Sequence, residues 1–132
     1  MPQSPAVLPS LPLSVTCSAD PRFAETITAL ATRMVASTGG GQAAARFAEA
    51  IAAGVRDCFS HLGAARVGAG ALTVELTTSD TDWEGRLCWS AEPGDDAAFV
   101  ARLESRLGGL ADRVECGHRG ADAFCAVACA RG

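Results

Sequence analysis

The chain has 132 residues, 48% of them hydrophobic, a formal net charge of −4 and a mean hydropathy of +0.18. That length predicts one folded domain with a real core, and the apolar content fits a compact globule and argues against a chain disordered as a whole. A pI near 5.0 leaves no basic footprint for nucleic acid. No apolar run reaches the roughly 18–20 residues of a membrane span. All eleven positive side chains are arginine, and lysine, asparagine and tyrosine do not occur. The opening residues lack the basic start and apolar run of a secretory signal, so a cytoplasmic location is expected. Six cysteines (17, 58, 88, 116, 125, 129) then read as reduced, mostly buried thiols, with no Cys-x-x-Cys motif among them.

Taken in order, residues 1–10 form a flexible arm rich in proline and serine, with Pro2, Pro5 and Pro9 opposing regular structure. Residues 11–17 alternate, placing Leu11, Leu13, Val15 and Cys17 on one face of a strand that Pro12 confines to an edge or a strand start. Asp20-Pro21 is a helix entry. The helix it opens carries Phe23, Ile27, Leu30 and Met34 at helical spacing, and Gly39-Gly40-Gly41 stops it.

A long amphipathic helix follows over residues 42–62, with Phe47, Ile51, Val55, Cys58 and Leu62 as its apolar stripe. Glu49, Ala53 and Asp57 share one line beside that stripe. Residues 71–78 alternate with Leu72, Val74 and Leu76 inward. Residues 83–90 return after the polar turn Ser79-Asp80-Thr81-Asp82, with Leu87 and Trp89 on one face, giving a hairpin. Trp83, next to that turn, reads as an exposed residue able to anchor a partner. A third helix over residues 97–107 buries Phe99, Leu103 and Leu107, with Leu110 beyond the glycine pair. Residues 111–116 and 121–130 form a closing hairpin around residues 117–120. The predicted order β-α-α-β-β-α-β-β describes an α+β two-layer sandwich over residues 11–132. A mixed, mostly antiparallel sheet carries about three helices on one face.

Four stretches match a known pattern: Leu13-Ser14-Val15-Thr16-Cys17-Ser18-Ala19-Asp20-Pro21; Phe47-Ala48-Glu49-Ala50-Ile51-Ala52-Ala53-Gly54-Val55; the hairpin over residues 72–90; and Leu110-Ala111-Asp112-Arg113-Val114. Together they resemble the serine-kinase anti-sigma factors, a small bacterial branch of the GHKL, histidine-kinase-like ATPase superfamily. The resemblance runs from about residue 11 to residue 130 and implies the Bergerat fold. In that family the helix glutamate polarises the attacking group, and an asparagine four residues on holds magnesium. Here the glutamate is Glu49, while Ala53 stands at the asparagine position and offers no oxygen to a hard cation. The family's Asp-x-Gly-x-Gly motif, whose aspartate accepts from the adenine amino group, corresponds to Ser90-Ala91-Glu92-Pro93-Gly94. Gly94 survives, but Ser90 and Glu92 replace the aspartate and the first glycine. Asp95 and Asp96 add negative charge where a triphosphate would bind.

The expectation is a pseudo-kinase: a non-catalytic, protein-interacting regulatory module with Glu49 as a relic and no bound cofactor. Its implied partner is a sigma factor or an anti-anti-sigma-like protein, and the homodimer is an open alternative. Two other readings stay open. One is an active serine/threonine protein kinase that uses ATP and magnesium in an atypical pocket. The other is a metal- or redox-sensing domain built on Cys116, His118, Cys125 and Cys129 of the closing hairpin. In that set Cys116 and His118 share one strand face and Cys125 and Cys129 another. The latter two stand about 13 Å apart along the strand, a poor zinc spacing. His61 reads as a partner of the helix C-terminus, and Asp57 as a surface charge facing Arg56 or Arg46.

Overall fold

The computed structural model describes residues 12–18, 21–36, 41–65, 71–90 and 97–131. The arm over residues 1–10, together with Glu92 and Gly94, lies outside the described residues. Strand β1 (Leu13–Ser18) is followed by a short 3-10 turn (Pro21–Phe23), helix α1 (Ala24–Ala36) and helix α2 (Gly41–Ala65). A hairpin of β2 (Ala71–Thr78) and β3 (Asp82–Ser90) then leads to α3 (Ala97–Gly108), and β4 (Arg113–Arg119) and β5 (Asp122–Ala130) close the chain. The five strands form one sheet in the order β1-β2-β3-β5-β4. Every pairing is antiparallel, so the expected mixed sheet is corrected to a wholly antiparallel one. The element order and the α+β sandwich are as the patterning predicts.

Alternation decides which sheet face meets the helices. Leu72, Val74 and Leu76 of β2, Trp83, Leu87 and Trp89 of β3, and Ala123, Cys125, Val127 and Cys129 of β5 are buried. Against them lie Phe47, Ile51, Val55, Cys58 and Leu62 of α2, the stripe that the three- and four-residue spacing predicts. Trp83 is fully buried, 0% exposed, with its ring stacked on Phe47 at 6.2 Å between centroids. It is a core residue and not the exposed anchor expected, because residue 83 shares strand parity with Leu87 and Trp89.

Helix α1 departs from its predicted stripe in a related way. The 3-10 turn winds at about three residues per turn, so Phe23 falls out of phase with the helix and is 42% exposed. Ile27, Ala31, Met34 and Val35 form the buried face instead. Two glycines mark close approaches between layers. A Cβ at Gly85 would lie 2.3 Å from Ile51 Cδ1, and one at Gly54 would lie 2.6 Å from Leu87 Cδ1. These contacts set α2 directly over β3.

Candidate functional site

Helix α2 is the middle helix of its layer. Arg56 reaches Glu25 of α1 at 3.2 Å on one side, and Arg106 of α3 reaches Asp57 at 3.3 Å on the other. Asp57 thus pairs across to α3 and not with Arg56 or Arg46 as expected, since those two arginines face Glu25 and Asp112. Glu49 is exposed on the outer side of α2. Ala53, one turn on, is 6% exposed and packs within the hydrophobic cluster. The predicted line of Glu49, Ala53 and Asp57 therefore exists, but its middle position is a methyl group in an apolar setting.

Ser90 ends β3, opposite Asp122 of β5. The close approaches of Gly85 to Ile51 and of Leu87 to Gly54 show that β3 runs along α2 in the same direction. At about 3.3 Å per strand residue and 1.5 Å per helical residue, Ser90 stands roughly level with Ser60 and His61. That is roughly 11 Å along the helix beyond Ala53. The junction there holds three rings. His61 stacks on Phe99 at 4.0 Å and 6°, and Phe99 meets Trp89 edge-on at 5.8 Å. His61 is thus a ring in a stack inside α2, which continues to Ala65, and not a C-terminal dipole partner.

Beside this stack is a cleft of about 350 Å³ between α2 and α3, lined by Asp57, Ser60, His61, Phe99, Arg102 and Arg106. A larger hollow of about 960 Å³ lies on the opposite, helix-free face of the sheet. Ala126 and Ala128 floor it, and Glu84, Arg86, Arg113 and Glu115 surround them. Neither Glu49, Ala53 nor Ser90 lines either cavity.

Ala53 supplies no ligand atom, and among the described residues no three His, Cys, Asp or Glu side chains are grouped as metal ligands. The same statement covers the closing hairpin. Cys116 faces Cys125 across the strands and His118 faces Ala123, while Cys129 lies four residues along β5. The structure does not bring these four side chains together around one point.

Ala53→Asn tests the apolar character of the position where the sequence resemblance expects an asparagine. Burying an amide in this cluster is expected to cost about 1–3 kcal/mol, read as a lower urea midpoint at unchanged slope. An unchanged midpoint would reveal polar partners at that position and restore a ligand geometry.

Asp112, in the Leu-x-Asp-x-Val step, is used structurally. Its carboxylate accepts from the Ala130 backbone N–H at 2.7 Å and from Arg46 Nη2 at 2.8 Å, tying α2 and the end of β5 to the α3–β4 connection. The Ala130 N–H and then the Arg46 guanidinium hold this carboxyl below its usual range. A carboxyl with a depressed folded-state pKa stabilises fully above its unfolded value of about 3.9. The stability difference between wild type and Asp112→Ala should therefore be constant above about pH 5 and shrink as acid protonates the folded carboxylate. Urea titrations across that range read it. A difference that grows on acidification would contradict the assignment.

No protein-family model and no curated protein matches the chain. Among solved structures, it is similar to the crystal structure of the RsbU and RsbW domains of Rv1364c from Mycobacterium tuberculosis, with a TM-score of 0.70 and 18% identity. The match covers 92% of this chain and 32% of that one. The likeness is one of fold. It supports the α+β sandwich of a five-stranded antiparallel sheet and three helices, and the described residues include no helix long and apolar enough to cross a membrane.

Proposed function

We propose that this chain is a regulatory protein-binding module related to the anti-sigma serine kinases, with a nucleotide site that no longer holds magnesium-ATP. The observation that carries this reading is the Ala53 methyl, packed in the core cluster one turn from Glu49. The resemblance calls for a metal-holding oxygen at that position. The His61–Phe99–Trp89 stack beside Ser90 supports it, because the adenine-accepting carboxylate is replaced by a hydroxyl next to an aromatic junction. The fold-level likeness to a structure containing an RsbW domain supports the relation to anti-sigma factors. A sigma factor or an anti-anti-sigma-like protein is the partner that relation suggests. Fold alone does not settle function, so the partner is tested directly.

Two measurements separate this reading from an active kinase. Magnesium-ATP should leave the melting temperature unchanged. A ligand held at 100 times its dissociation constant would add about 2.7 kcal/mol, a rise of roughly 10 °C for a chain of this size. Such a rise would overturn the loss of the nucleotide site. Affinity capture from the cell of origin should return a sigma-factor region or an anti-anti-sigma-like domain. Capture of neither would count against the regulatory role.

A further inference from the structure

The geometry points to Cys116 and Cys125 as a reversible dithiol–disulfide pair that staples β4 to β5 when the protein meets a hydroperoxide. The pairing stands apart from the nucleotide-site reading and follows from the closing hairpin. Its register sets Arg119 opposite Asp122 across Gly120 and Ala121, with Gly120 at φ +63°. A positive φ at the first central position is the mark of a tight two-residue hairpin turn and favours glycine there. The pair flanking such a turn is hydrogen-bonded through its backbone. Pairs then alternate along an antiparallel ladder. His118 and Ala123 are a non-hydrogen-bonded pair, Gly117 and Phe124 a hydrogen-bonded one, and Cys116 and Cys125 a non-hydrogen-bonded one again.

That alternation matters because opposed Cα atoms at a non-hydrogen-bonded pair stand about 4.5 Å apart with their side chains close. Disulfides span Cα separations of about 4.4–6.8 Å, so the bond needs no backbone movement. The register sets the two thiols directly opposite one another, and the Cys116 side chain acts on the Cys125 thiol at close range. Both point to the helix-bearing face, where Cys125 is fully buried and Cys116, on the edge strand, is half-buried. The neighbouring Cys116 side chain, and then burial, push the Cys125 thiol far above the ordinary cysteine range, so it stays protonated. Cys116 is the thiol that meets an oxidant first.

The chemistry balances with a hydroperoxide as the two-electron oxidant. The Cys116 thiolate attacks the terminal peroxide oxygen, so an S–O bond forms and the O–O bond breaks. The departing oxygen takes a proton and leaves as water or an alcohol, and Cys116 is left as a sulfenic acid. The Cys125 sulfur then attacks the Cys116 sulfur; the S–S bond forms, the S–O bond breaks, and hydroxide leaves as water with the Cys125 proton. A dithiol reductant reverses the bond.

The test uses the full chain. Protein is exposed to hydrogen peroxide, alkylated, digested with trypsin and mapped by mass spectrometry. Cleavage after Arg113, Arg119 and Arg131 isolates Cys116 on residues 114–119, and Cys125 with Cys129 on residues 120–131. The expected product is the linked pair of these peptides within one chain, with fragment ions placing the bond at Cys125. It should form at least tenfold faster than Cys88, a half-buried thiol on the other sheet face, loses its reactivity. Dithiothreitol should return both thiols. In Cys125→Ser, Cys116 should instead be trapped as a sulfenic acid by dimedone, while Cys129→Ala should keep the link. A bridge to Cys129, to the Cys58 peptide or between chains would overturn the proposal, as would full alkylation of Cys116 and Cys125 after peroxide.

Discussion

Replacing Trp83 with alanine is expected to lower the unfolding free energy by about 3–5 kcal/mol. Trp83 is 0% exposed, stacks on Phe47 of α2, and carries the Arg131 guanidinium over its ring at 5.5 Å. Its removal takes away one of the largest buried side chains and opens a cavity under the start of α2, where Phe47 cannot collapse without pulling the helix off β3. A domain of this size is held by about 5–15 kcal/mol, so the loss is a large fraction of the whole. Chemical denaturation gives the value directly. A change under about 0.5 kcal/mol, the usual size for a surface substitution, would place Trp83 outside the core and return it to the role of an exposed anchor.

The second large effect is expected at Gly85. A valine there would suit a strand by propensity, yet its Cβ would lie 2.3 Å from Ile51 Cδ1, 3.2 Å from Leu76 Cδ2 and 3.3 Å from Phe47 Cζ. Each of these atoms ends a fully buried side chain, so none can swing into solvent. Overpacking of this kind costs about 1–3 kcal/mol, occasionally more. Shortening the opposing residue separates a steric cause from a conformational one. Gly85→Val combined with Ile51→Ala should destabilise less than the sum of the two single changes, since the cavity left by one receives the volume added by the other. Strict additivity would mean that the helix does not approach the strand at this point.

Both predictions turn on how α2 sits against β3, and this contact was only half legible in advance. The stripe from Phe47 to Leu62 was readable because a helix repeats its buried face every three to four residues. The parity that places Trp83 with Leu87 and Trp89 was equally present, but its nearness to a polar turn suggested exposure. In the structure that turn holds itself together. The Ser79 hydroxyl accepts from the backbone N–H groups of Thr81 and Asp82, and Arg131 donates to the Ser79 carbonyl, so β3 begins at Asp82 with Trp83 already under the helices. Phe23 shows the converse. It matches a helical repeat on paper, but it belongs to a 3-10 turn whose shorter period points it outward.

The candidate site was legible as chemistry and not as packing. That Ala53 cannot hold a hard cation follows from its side chain alone, and the lack of asparagine anywhere in the chain follows from composition. That the Ala53 methyl is buried in the core, that Asp57 turns to Arg106, and that His61, Phe99 and Trp89 meet at one junction are contacts between elements far apart in the chain. No local period encodes them.

By itself, then, the sequence determined the order of strands and helices, the inward set of Leu72, Val74, Leu76, Leu87 and Trp89 in the first hairpin, the apolar stripe of the central helix, and the lack of a side-chain oxygen at Ala53. These depend on spacing and side-chain chemistry, which are properties of neighbours along the chain. Tertiary structure alone decided which residues meet across elements. It buried Trp83 under α2, drew Asp112 between Arg46 and the Ala130 N–H, and set Cys116 against Cys125 through the tight turn at Gly120. Such contacts arise from the register of whole strands and the seating of whole helices, where a one-residue shift sends every side chain to another neighbour.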